Sequence, residues 1–183
     1  MTYPVHTVET APAAAMETLA AAKKGLGFVP NLFAVMAEAP ALVKAYTTLS
    51  RIFDEASFSA TERQVVLLTV SYVNGCEYCI AAHSIIAGMQ KVPADVVQAV
   101  RDGKPIADRK LEALRRFTAA VVSTRGWPSD ADTAAFLGAG YGKQQVLEVV
   151  LGVGMKTLSN YTNHVAGTPL DQAFTAAAWS KAA

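Results

Sequence analysis

Along most of the chain, apolar positions recur every three or four residues rather than every second one. Between Ala41 and Asp54, for example, Leu42, Ala45, Tyr46, Leu49 and Phe53 share one helical face. Punctuation divides the rest into further helices. Residues 12–24 predict a first helix, stopped by Gly25 and Gly27, and Pro30-Asn31 opens a short one that ends by Pro40. Ser59 and Glu62 have capping-box spacing at the head of a helix through Val73 that is apolar nearly all round and so belongs in the core. Asn74-Gly75 stops it, since both residues tolerate the left-handed conformation of a helix end, and a new helix begins at or near Cys76 and runs to about Met89. Pro93 heads a helix closed by Gly103, Asp108 a long one closed by Gly126, and Ser129 with Asp132 a short one. A last long apolar helix runs from about Lys143 to His164, before Gly167-Thr168-Pro169, and Asp171 to Trp179 predict a final turn or two. No stretch shows the sustained alternation of a strand, so the fold class is all-α, one domain over residues 1–183.

The pattern also hints at internal repetition. An offset of 81 residues places Gln64-Val65 on Gln145-Val146 and His83 on His164, with apolar residues matching between. The cysteines do not repeat: Thr157 and Asn160 stand at the offsets of Cys76 and Cys79. Two apolar helices also align somewhere by chance. If the repetition is structural, the fold pairs a unit of about 41–103 with a degenerate one of about 108–167, and only the first carries thiols.

Composition narrows the function. The chain is 52% hydrophobic and only 17% charged, which leaves apolar surface to be covered at a subunit interface, although alanine inflates the first figure. The net charge of +1 and the lack of a basic run argue against nucleic acid. No apolar run is long enough to span a bilayer. The opening M-T-Y-P-V-H-T-V-E-T has no basic segment followed by an apolar one, so no export signal is read there and a cytoplasmic location is expected.

The candidate chemistry lies in G-C-E-Y-C-I-A-A-H, Gly75 to His83, which holds both cysteines and one of the three histidines. On a helix, Cys76, Cys79 and His83 fall at about 0°, 300° and 340°, a single stripe, with the imidazole one turn from the second thiol. A helix N-terminus and a neighbouring base are the two features that lower a thiol's pKa and make the nucleophilic thiolate. The second cysteine can then close a disulfide on an oxidised sulfur before it over-oxidises. Redox chemistry, a metal clip and inert core cysteines are the three readings. The clip needs a fourth ligand from His6, His164 or carboxylates, and a stripe on one helix is awkward for tetrahedral geometry. His6, near the terminus, reads as solvated, and Trp127 and Trp179 read as packing anchors.

The segment T-E-R-Q-V-V-L-L-T-V-S-Y-V-N-G-C-E-Y-C-I-A-A-H-S resembles the signature helix pair of the alkylhydroperoxidase D-like (AhpD-like) family, within the carboxymuconolactone decarboxylase superfamily. The flanks G-F-V-P-N-L-F and L-S-N-Y-T-N-H, with T-P-L-D, are similar to its peroxidase-related subgroup. The resemblance implies an all-helical AhpD-like fold with an internal repeat and a homo-oligomer, a trimer, hexamer or dimer. It implies an oxidoreductase that reduces peroxides through a CxxC dithiol, with an external thiol or disulfide reductant and no cofactor or metal. In that pattern Cys79 attacks the peroxide, Cys76 resolves, and His83 belongs to the proton relay. The family's glutamate at position 64 is Gln64 here, which hydrogen-bonds but does not ionise. Tyr78 stands where some members carry histidine. Glu148, the lone acid of Q-V-L-E-V-V-L-G-V, is a candidate relay carboxylate whose pKa should rise if it is buried, and His164 is a candidate through the repeat. Asn160, Asn163 and His164 share a face, for which a structural role is favoured over a site role. The alternatives are a non-catalytic, redox-sensing protein of the same fold and, with less support, a lyase like the superfamily's namesake, for which no basic cluster is placed to hold a dicarboxylate.

Overall fold

The computed structural model describes residues 2–181. Nine α-helices and one 3-10 helix order the described residues, without a strand. The helices are α1 (Ala13–Leu26), α2 (Asn31–Met36), α3 (Pro40–Asp54), α4 (Ala60–Val73), α5 (Glu77–Met89), α6 (Ala94–Arg101), α7 (Arg109–Ser123), α8 (Asp130–Gly138) and α9 (Lys143–Ala166); the 3-10 turn spans Gln172–Ala177.

The helix heads are set by local chemistry. Ser59 and Glu62 form a reciprocal capping box at α4, Ser129 and Asp132 do the same at α8, and the Asp108 carboxylate accepts from Leu111 N at α7. Pro40 occupies the first position of α3, where its missing N–H would have no partner anyway. α2 ends at Met36, earlier than Pro40 requires, because its last turn is closed by the Ala37 N–H on Phe33 O. The final segment winds as 3-10 rather than α. Its N-cap residue, Asp171, leaves the turn uncapped and gives its carboxylate to Asn31 N and Tyr78 Oη instead.

α4 is the central helix. Gln64 through Ser71 are all buried, and α5, α6, α7 and α9 pack around them. Each fully buried Val or Leu there contributes about 1.5–3 kcal/mol of hydrophobic stabilisation. Where α9 crosses α3 and α4, the backbones approach closely at Gly152, at which a Cβ would stand 2.8 Å from Val66 and 2.9 Å from Phe53. A stack of Phe117, Phe136 and Tyr141, with centroids 4.4 Å apart at each step, fixes α8 on α7.

Two expectations change in the fold. Trp127 is 83% exposed on the loop after α7 and anchors nothing, whereas Trp179 packs on Tyr72 and donates Nε1–H to Arg101 O at 2.9 Å. His6 is not free in solvent: its Nε2 lies 2.8 Å from Glu38, tying the N-terminal segment to the loop before α3. Among the described residues, no helix is long and apolar enough to cross a membrane.

Candidate active site

The site begins with the break between α4 and α5. Gly75 adopts φ +67°, and a hydrogen-bonded helix end forms around it, with Cys76 N donating to Ser71 O and Gly75 N to Tyr72 O. The chain then restarts with Cys76 as N-cap of α5 and Cys79 in its first turn. Both thiols are free and buried, 1% and 2% exposed. The unpaired amides and dipole of a helix start favour negative charge there.

α9 lies across this break and faces it with its own stripe: Lys156, Ser159, Asn160 and Asn163, at i, i+3, i+4 and i+7, all buried. The Asn163 side-chain amide donates to both sulfurs, at 3.2 Å to Cys79 and 3.5 Å to Cys76. Ser159 Oγ is 3.9 Å from Cys79 Sγ. Asn160 joins Asn74 at 2.9 Å and Ser71 at 3.4 Å, locking the helix break against α9. The structural role favoured for Asn160 and Asn163 on sequence is thus too narrow, since Asn163 bonds both thiols directly. His164, one position on, turns about 100° away; it is exposed, stacked on Tyr161, and outside the site.

Electrostatics split the thiol pair. Burial pushes Cys79 up, but the hydrogen bond from Cys76, the Lys156 charge, and Ser159 and Asn160 outweigh it and hold the thiol well below its usual range. Cys76 is pushed far up by that same hydrogen bond, by burial and by the neighbouring thiolate. The pair is therefore asymmetric, with Cys79 favoured as the thiolate and Cys76 as the thiol. Lys156 is only 1% exposed. Burial opposes its charge, yet the Cys79 thiolate, Tyr46 and Cys76 hold its pKa above the ordinary value.

His83 is buried on the same stripe of α5, but its Nδ1 is 3.0 Å from Gln64 Oε1 and no hydrogen bond links its ring to either sulfur. Gln64 Nε2 donates to Gln90 Oε1 at 3.1 Å, which leaves the Gln64 oxygen to accept from His83 Nδ1–H. Of the two routes that the spacing allows to the second thiol, directly or through a water, the direct hydrogen bond is not made. Burial, then the Lys156 charge, push the imidazole well below its usual pKa. Tyr78 is no base either: Oη donates to Asp171 at 2.5 Å and accepts from Leu32 N at 3.2 Å, and burial with the Asp171 bond pushes the phenol far up. Glu148 lies outside the site. It accepts from Ser57 N at 3.0 Å and Ser57 Oγ at 2.6 Å; it is only half-buried, short of the burial on which a rise was expected, and despite burial's upward push these bonds hold its carboxyl below the usual range.

A cavity of about 720 Å³ opens onto these groups, lined by Cys79, His83, Gln64 and Lys156 and walled by apolar and aromatic side chains including Phe28, Phe33, Tyr46, Phe53, Met155 and Phe174. Cys79 lines it; Cys76 sits behind. The sequence reading missed Lys156. Its signal was present, since it is the one charged side chain between Val149 and Asn163 in an apolar helix. Among the described residues, no three His, Cys, Asp or Glu side chains converge as metal ligands.

Residues 37–115 match the sequence profile of the carboxymuconolactone decarboxylase family. No curated protein sequence matches the chain. Several solved structures share the fold. An alkylhydroperoxidase AhpD core, a peroxidase-related protein from Ralstonia eutropha JMP134, superposes with a TM-score of 0.82 at 22% identity, over 94% of this chain and 93% of its own. A peroxidase-related protein from Silicibacter sp. TM1040 gives 0.79 at 17% identity, over 95% and 92%. The debrominase Bmp8, as a cysteine-to-alanine variant in complex with 2,3,4-tribromopyrrole, gives 0.80 at 17% identity, over 97% and 95%.

Proposed function

We propose that this chain, which matches the carboxymuconolactone decarboxylase family over residues 37–115 and shares its fold with an AhpD core, is a thiol-dependent peroxidase of the AhpD-like kind, with Cys79 as the attacking sulfur and Cys76 as the resolving one. One observation carries this reading: of the two thiols, only Cys79 lines the cavity, and it is the one held toward the thiolate. Attack on the terminal peroxide oxygen gives a Cys79 sulfenic acid and an alkoxide, or hydroxide from hydrogen peroxide. Cys76 then displaces the sulfenic oxygen as water and closes the disulfide. An external dithiol supplies the two electrons that reopen it. The cysteines need no cofactor for this. Homo-oligomer formation in the cell's interior fits the reading and belongs to the proposal.

The test is peroxide consumption by the purified protein with an excess dithiol reductant. Cys79→Ser should lose turnover by about a thousandfold or more, while Cys76→Ser, given peroxide without the reductant, should consume a single equivalent and stop at a sulfenic acid. Full turnover by Cys79→Ser ends the assignment. Disulfide formation by peroxide without repeated turnover supports the redox-sensing alternative.

A second reading follows from the aromatic cavity, which is far roomier than hydrogen peroxide needs and suits a flat ring beside Cys79. With the debrominase among the fold's neighbours, the same thiol pair could act on a small brominated aromatic. Bromide release from a bromopyrrole in the presence of the dithiol separates the two readings.

A further inference from the structure

Lys156 is a buried cation without a carboxylate. Among the described residues it joins no ion pair with Asp or Glu, although it is 1% exposed. An unpaired buried charge is strongly unfavourable, so a lysine at such a place is either neutral or paired with another anion. The titratable groups facing it are Tyr46 from α3 and Cys76, Cys79 and His83 from α5. Of these, only a thiol becomes an anion readily near neutral pH. Lys156 also lines the cavity beside Cys79, and it begins the α9 stripe whose last member, Asn163, bonds both sulfurs. The other proton-carrying candidates are otherwise engaged: His83 with Gln64, which cannot ionise, and Tyr78 with Asp171.

Resting on the peroxidase reading, we propose that Lys156 is the counter-ion that keeps Cys79 a thiolate and the acid that protonates the departing oxygen, in place of a relay through His83 and position 64. The steps balance. Cys79 thiolate attacks the terminal oxygen of ROOH, the O–O bond breaks, and the S–O bond forms. The RO⁻ released takes a proton from the Lys156 ammonium and leaves as ROH. The neutral amine next takes the proton of Cys76. The Cys76 thiolate displaces hydroxide from the Cys79 sulfenic acid, and hydroxide takes the proton back from Lys156 and leaves as water. In the disulfide form Lys156 is a neutral amine, as its burial without an anion demands. Two electrons from the external dithiol restore both thiols, and Cys79 returns its proton to the amine.

The test is the rate of Cys79 alkylation by iodoacetamide, measured by mass spectrometry on the reduced full chain from about pH 5 to about pH 10. Lys156→Met fills the space with a side chain of similar length, and Lys156→Gln is a second neutral variant that keeps hydrogen bonding. Wild type should be half-maximally reactive below the ordinary thiol value of about 8.5. Both variants should move that midpoint to about 8.5 or above and slow alkylation at neutral pH by about tenfold or more, while His83→Ala leaves it in place. The acid role is read separately, in peroxide turnover. The rate loss in Lys156→Met should shrink as the leaving alcohol becomes more acidic. An alkylation profile unmoved in both neutral variants, or moved instead by His83→Ala, overturns the counter-ion role, and an equal loss for every peroxide overturns the acid role. A shifted alkylation profile in a protein that consumes no peroxide keeps the counter-ion role and removes the peroxidase reading.

Discussion

Residues 60–89 and residues 143–166 carry related apolar patterns at an offset of 81 positions, yet the first is cut into two helices and the second runs unbroken. The difference sits at one point. Gly75, at φ +67°, ends α4, and at its offset stands Lys156, in the middle of α9. The break gives the first region a fresh helix start, with Cys76 at its N-cap and Cys79 in its first turn. The unbroken partner gives an uninterrupted row of side chains, one charge and three polar groups, aimed at those sulfurs. A nucleophile at a helix start and its electrostatic setting on a straight helix are complementary jobs. The two regions differ where the site needs them to.

The largest way to break this arrangement is at the crossing that brings α9 over α3 and α4. Gly152→Ala places a methyl 2.8 Å from Val66 and 2.9 Å from Phe53. It should destabilise the protein by about 1–3 kcal/mol in urea melts. Two residues along the same helix, Gly154 has nothing within 4 Å of a built Cβ, so Gly154→Ala should stabilise by about 0.5–1 kcal/mol. Equal effects at the two positions would contradict the close approach.

Acid should loosen the site next. The folded state holds His83 well below its usual pKa, through burial first and the Lys156 charge second. An unfolded chain takes up this proton near pH 6.5 and the folded one does not, so below about 6.5 the unfolded state binds more protons. Stability should therefore fall as pH falls from about 6.5, by up to about 1.4 kcal/mol per unit, and be flat above it for this residue. His83→Leu should flatten the slope between about pH 5.5 and 6.5 in melts of the reduced protein; matching slopes in both proteins would contradict a buried neutral ring.

The smallest loss belongs to the break itself. Gly75→Ala forces a methyl-bearing residue into the left-handed region, with open space around it, and should cost about 1 kcal/mol of stability. Because it perturbs the start of α5, alkylation of Cys79 should slow as well. Lost stability with an unchanged alkylation profile would separate the break from the chemistry.

Much of this was legible in the chain because its signals are local. Ser59, Asp108 and Ser129 cap the helices they were expected to cap, and the stripe of Cys76, Cys79 and His83 needs only the helical period of one element. What was not legible depends on which helices meet. Lys156 matters because α9 packs across the α4–α5 break, and no spacing within α9 reveals that. Gln64 draws His83 from α4, and so the imidazole faces an amide rather than a thiol. Glu148, read as a relay candidate because it is the lone acid in an apolar run, sits on the side of α9 that meets Ser57. Offset alone paired His164 with His83, but α9 turns His164 to solvent.

The account stands on Cys79 being a thiolate near neutral pH while Cys76 keeps its proton. Ultraviolet titration of thiolate absorbance in the reduced protein, compared with Cys79→Ser, tests that most directly. The account predicts one thiolate in wild type that forms well below about pH 8.5 and is absent from Cys79→Ser. Two thiols that ionise only at or above that value, or a low-pH thiolate that survives in Cys79→Ser, would contradict it.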